Sequence, residues 1–110
     1  MTDYMQALRV VNRLFPLILS GEKASTIRWR ENQIALGPMR YICDNDSSQT
    51  VIVNVIRCTD MPLSQVANFL GKERQWPDAE MLQGIREHYP DIMFSDIVQV
   101  VEHLPPIYGD

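Results

Sequence analysis

At 110 residues the chain is long enough for a single domain, read as residues 1–110 around one core, without staples. A hydrophobic content of 45% against 22% charged excludes a disordered chain. The net charge of −4, with a pI near 5.0, excludes a protein that coats nucleic acid nonspecifically, because that affinity comes from neutralising phosphates.

The first strand expected is Ala7-Leu8-Arg9-Val10-Val11, rich in β-branched and apolar residues. Leu14 to Ser20 is apolar enough for a short buried helix. Pro16 suits its first turn, where the missing N–H would lack a partner anyway, and Gly21 suits the left-handed position just past its end. From Ala24 the chain alternates, which puts Thr26, Arg28 and Arg30 on one face of a strand and Ser25, Ile27 and Trp29 on the other. Lys23 has the wrong parity for Thr26 and would approach its hydroxyl from the turn.

Gly37-Pro38 marks a turn, Met39 to Cys43 a strand, and Asp44 to Gln49 a polar loop. Thr50 to Cys58 is apolar on both faces, the pattern of a central strand covered on each side. Asp60 is placed to cap a helix carrying Leu63, Val66, Ala67 and Leu70, which Gly71 ends. After the charged connection Lys72 to Gln75, Asp78 is the candidate cap of a second helix. Its apolar face is Met81, Leu82, Ile85 and Tyr89, and Pro90 forbids its continuation. Ile97 to Val101 is the last strand, and Pro105-Pro106 closes the fold. Strands with helices inserted between them fit an α+β barrel better than a doubly wound sheet, and no Gly-rich phosphate loop follows any strand.

Cys43 and Cys58 are expected to be reduced. A register set by the loop between their strands would place Cys43 opposite about residue 51, and no Cys-x-x-Cys spacing supports zinc or dithiol chemistry. His88 and His103 lack a third ligand at metal spacing. Met1-Thr2-Asp3-Tyr4 lacks the pattern of a signal peptide, and no apolar run approaches the ~18 residues of a membrane span, so a cytoplasmic location is expected.

The run Gly21-x-Lys23-x-x-Thr26-x-Arg28 resembles the signature of the ASCH domain, a small PUA-like mixed β-barrel with inserted helices. The resemblance extends from the apolar helix through Arg57-Cys58-Thr59 to the Ile85-to-Pro90 helix terminus and the last strand. Small single-domain bacterial members of that family remove acetyl from N(4)-acetylcytidine. The resemblance implies the same amidohydrolase chemistry, with no metal or organic cofactor.

On that reading Lys23 is the base, its pKa lowered by desolvation and by the cations Arg28 and Arg30; otherwise it is a solvated lysine suiting the helix dipole. Thr26 is the nucleophile, or with Lys23 positions a water; otherwise it is strand filler. Arg28 steadies the oxyanion or holds substrate, with Arg30 and Ser25 as further substrate contacts. The family's catalytic glutamate precedes the last long helix, where this chain offers Glu73. Counting back without gaps from Tyr89-Pro90 reaches Arg74, one residue on. Trp29 has the parity of a core residue, while Trp76 and Tyr41 are candidates for stacking a base. The partners implied are a modified nucleoside or RNA. The alternative is a non-catalytic RNA- or nucleotide-binding module, with a ribonuclease a third possibility. Oligomeric state is left open.

Overall fold

A computed structural model of the chain describes residues 5–106. The strands are β1 (Gln6–Val10), β2 (Ser25–Arg28), β3 (Gly37–Cys43), β4 (Asp46–Pro62) and β5 (Ile97–His103). The helices are α1 (Phe15–Ser20), α2 (Val66–Phe69) and α3 (Asp78–Ile85), with 3-10 turns at Asn12–Leu14 and Leu63–Gln65 leading into α1 and α2. One sheet of order β1-β3-β4-β5-β2 contains all five strands. It is mixed: β1 pairs parallel with β3 from Gln6↔Met39 to Val10↔Cys43, and β3 pairs antiparallel with β4, as in Tyr41↔Val51.

Packing divides the chain into two units, one containing residues 5–26, 33–58 and 101–106, the other residues 27–32 and 59–100. Each has its own hydrophobic cluster, where length alone suggested one core. The first is built on Leu8, Ile18, Met39, Tyr41, Val53 and Val101. The second is built on Leu63, Val66, Ile92, Val98 and Val100, with Trp29, Trp76, Met81, Leu82, Ile85 and Tyr89 packed around them.

β4 occupies the middle of the sheet, as its sequence predicts, but only one face is covered. Val51, Val53 and Val55 are buried, whereas Ile52 and Ile56 are 40% and 51% exposed. The polar stretch after Cys43 is also tighter than a loop. Asp44 and Asn45 form a two-residue turn, and β4 starts at Asp46, opposite Cys43 rather than residue 51. The register shifts between Ile42 and Cys43, since Ile42 faces Thr50, and the extra residues bulge out of β4. Asp46 organises the bulge by accepting from the Ser48 hydroxyl, the Ser48 amide and Gln49 Nε2. These bonds, led by the Ser48 hydroxyl, hold its carboxyl below the usual range. Cys43 and Cys58 are both free thiols.

Asp60 does not cap a helix, because β4 runs through it to Pro62. The amides at the following turn donate to main-chain carbonyls instead, Leu63 to Asp96 at 2.9 Å and Ser64 to Phe94 at 3.1 Å. Backbone acceptors thus satisfy the donors that a cap would serve. Asp78 is the first residue of α3, after Pro77 at the N-cap, and makes no capping bond. There, with Glu80, its charge suits the helix N-terminus. The helix ends at Ile85, and Tyr89 follows a turn rather than the last helical turn. Among the described residues no helix is long and apolar enough to cross a membrane.

Candidate active site

The turn that presents Lys23 is hydrogen-bonded at successive amides. Gly21, with φ of 86°, ends α1 in the left-handed conformation and donates to Ile18 at 3.1 Å. The Glu22 amide donates to Ser20 Oγ at 3.3 Å, and the Lys23 amide returns to the Leu17 carbonyl at 2.9 Å. Gly21 therefore does what the sequence predicts, and the chain emerges with Lys23 fixed at the main chain one residue before Ala24. The Lys23 amine folds forward and donates to the Ser25 carbonyl at 2.7 Å, partly buried. Thr26, the next residue, is only 4% exposed. In the first unit the amine thus meets the Ser25 main chain, and the residue that follows Ser25 is a buried threonine.

β5 locks this turn from its far end. The His103 amide donates to the Ala24 carbonyl at 3.0 Å. The His103 ring, 3% exposed, bonds Tyr41 Oη through Nε2 and the Leu104 carbonyl through Nδ1. Burial pushes its pKa down, the Leu104 bond opposes that shift, and the Lys23 charge adds to it. The sequence placed His103 at a strand end, which is correct, but gave no sign of this partnership. A histidine and a tyrosine 62 residues apart carry no local signal of pairing. Tyr41 is wholly buried and bonded to His103, so it offers no face for stacking a base.

The second unit carries Arg28, Arg30 and Glu73. β2 ends at Arg28, so the alternation expected through Arg30 stops short. Arg30 instead takes φ of 58°, rare for a residue with a Cβ. Its guanidinium lies over the Trp29 ring, 4.2 Å from the centroid, and the indole packs into the second cluster as its parity implied. Arg28, 13% exposed at its side chain, pairs with Glu31 at 3.8 Å. Glu31 also accepts from the Tyr89 hydroxyl. Burial first, and the Glu31 bond second, raise the Tyr89 pKa to about 12, so the phenol keeps its proton. Glu73 sits exposed in the turn between α2 and α3. Trp76 is partly buried against the second cluster, with Lys72 5.7 Å from its ring centroid. Among the described residues no group of three His, Cys, Asp or Glu side chains could hold a metal ion.

A mixed five-stranded sheet with short helices inserted between its strands is an α+β fold of the ASCH-like, PUA-like kind. Solved structures carry the same fold. ZmASCH from Zymomonas mobilis, an ASCH protein solved as two single-substitution mutants, matches with a TM-score of 0.68 at 13% identity. The two matches cover 92% and 93% of this chain and 69% and 71% of that one. A protein from Enterococcus faecalis V583, of the DUF984 family, matches with a TM-score of 0.60 at 15% identity, over 100% of this chain and 86% of that one. No family model matches the sequence, and no curated protein does. The likeness fixes the fold alone.

Proposed function

We propose that the protein is an amidohydrolase that removes acetyl from N(4)-acetylcytidine or a closely related modified nucleoside. The observation that carries this reading is the Lys23 turn: a hydrogen-bonded helix end that holds a partly buried amine at the Ser25 carbonyl, beside the buried Thr26. Lys23 as the free amine takes the proton from Thr26 Oγ, or from a water that Thr26 orients, as that oxygen attacks the acetyl carbonyl. Arg28 steadies the resulting oxyanion, while Ser25 and Arg30 contact substrate. Glu73 protonates the departing cytosine amine. If Thr26 is the nucleophile, the proton gained by Lys23 passes through solvent to the Glu73 carboxylate; the freed amine then takes a proton from the water that releases acetate and returns it to Thr26 Oγ. The carboxylate, amine and hydroxyl provide every proton transfer the hydrolysis requires.

The deciding experiment is chromatographic detection of cytidine from N(4)-acetylcytidine by purified protein, run beside Lys23→Ala. Cytidine that appears with the native protein and not with the variant supports the reading; its absence with a folded native protein removes it. A second reading, an RNA- or nucleotide-binding module, is favoured by one observation: the exposed Arg30 guanidinium lying over Trp29. Oligonucleotide binding that weakens steeply with salt would favour that reading.

A further inference from the structure

The Gly-x-Lys-x-x-Thr-x-Arg motif stops at Arg28, but the chain beyond it is shaped around that arginine. A continued strand would send residue 31 to the opposite face from residue 28. The chain instead bends over residues 29–31, with Arg30 left-handed, and brings Glu31 back to Arg28. Left-handed backbone at a residue other than glycine is unfavourable, and such outliers concentrate where a site needs a particular geometry. The bend leaves Arg28 mostly covered at 13% side-chain exposure and Glu31 at 34%.

Glu31 is itself held. Its Oε2, the atom that faces Arg28, also accepts from the Tyr89 hydroxyl. Tyr89 is fixed in turn by an edge-to-face contact with Trp29, with centroids 5.9 Å apart and planes at 86°. The Arg30 guanidinium lies over the same indole. Because the phenol stays protonated, it can only donate to the carboxylate. Tyr89, Glu31 and Arg28 thus form one directed chain from the second cluster to the motif arginine.

We propose that Glu31 and Tyr89 are positioning residues of the amidohydrolase site, which hold the Arg28 guanidinium in the orientation that meets the substrate's acyl oxygen. The inference rests on the function proposed above. An ion pair at 3.8 Å with a partly exposed carboxylate adds little to stability. A guanidinium fixed before substrate arrives has a different value, because it need not reorganise as negative charge develops.

The test is a double-mutant cycle on N(4)-acetylcytidine turnover. Glu31→Gln and Tyr89→Phe should each lower kcat about tenfold, whereas Glu31→Gln added to Arg28→Ala should cost nothing further. Melting temperatures, recorded for every variant, should not follow the kinetic losses. An equal loss in both backgrounds, or losses that follow unfolding, would overturn the proposal. Native protein that fails to turn over this nucleoside would remove the amidohydrolase reading, and the positioning claim would then be judged by NMR of the Arg28 guanidinium, whose Nη1 faces Glu31. Rotation about its Nε–Cζ bond should be several-fold slower in the native protein than in Glu31→Gln or Tyr89→Phe, as expected when an ion-paired group is released. Equal rotation rates would refute the claim independently of any substrate.

Discussion

Tyr41 donates its hydroxyl to His103 Nε2 at 2.9 Å in the first cluster. Nδ1 lies 2.9 Å from the Leu104 carbonyl, which can only accept, so Nδ1 carries a proton. Burial lowers the ring's pKa, so at neutral pH it carries no second proton and Nε2 accepts from the phenol. The unfolded chain binds a proton here near 6.5, the ordinary value for histidine, while the folded chain resists it, so stability should fall as pH drops below that value toward the folded pKa. Urea midpoints measured at neutral and mildly acidic pH should fall on acidification. The drop should be smaller in His103→Gln; an undiminished drop would place the pH sensitivity elsewhere.

Tyr41→Phe keeps the ring's volume and removes the hydroxyl that donates to Nε2. An acceptor left unsatisfied in the core costs about 1–3 kcal/mol, and urea denaturation should show a loss in that range. Loss of well under that amount would mean that the bond contributes nothing net.

Lys23→Ala should cut turnover of N(4)-acetylcytidine at least about a hundredfold, the low end of what a positioned base supplies. Its stability cost should stay at about 1 kcal/mol, because the side chain is only partly buried and its bond to the Ser25 carbonyl is of ordinary net strength. Calorimetry separates the two outcomes: a collapse in melting temperature would make Lys23 a structural residue.

At Arg30 the backbone and the side chain can be weighed separately. Arg30→Gly relieves the left-handed strain and gives up the contact with Trp29, so thermal stability should change by less than about 1 kcal/mol. Arg30→Val keeps the strain, adds a branched Cβ and should destabilise by about 2 kcal/mol. Similar behaviour of both variants would mean that the positive φ is not maintained in solution.

The parts of this fold that could be read from the sequence are those fixed by neighbours in the chain. Pro16 and Gly21 bound α1 because their own backbone limits allow little else. The alternation of Val51, Val53 and Val55 marks a buried face without reference to any partner. Distant groups were the ones that misled. Asp60 has the chemistry of a cap, but carbonyls from Phe94 and Asp96 satisfy the turn it would have served. Ile52 and Ile56 have the composition of a second buried face, but both are exposed on the sheet. In the candidate site, Lys23, Thr26 and Arg28 are candidates that the motif names by itself. Tyr41 with His103, and Glu31 with Tyr89, are pairings made by the fold, and no spacing rule connects their members.

The tight turn at Asp44 and Asn45 has a consequence for how the chain reaches this structure. β3 and β4 meet across two residues, so their pairing closes a very short loop and loses little chain entropy. β1 must find β3 in parallel, with α1 and β2 lying between them in the chain. The β3–β4 hairpin should therefore be structured in the folding transition state and β1 should dock late. Core truncations such as Val53→Ala would then slow folding, whereas Leu8→Ala would chiefly speed unfolding.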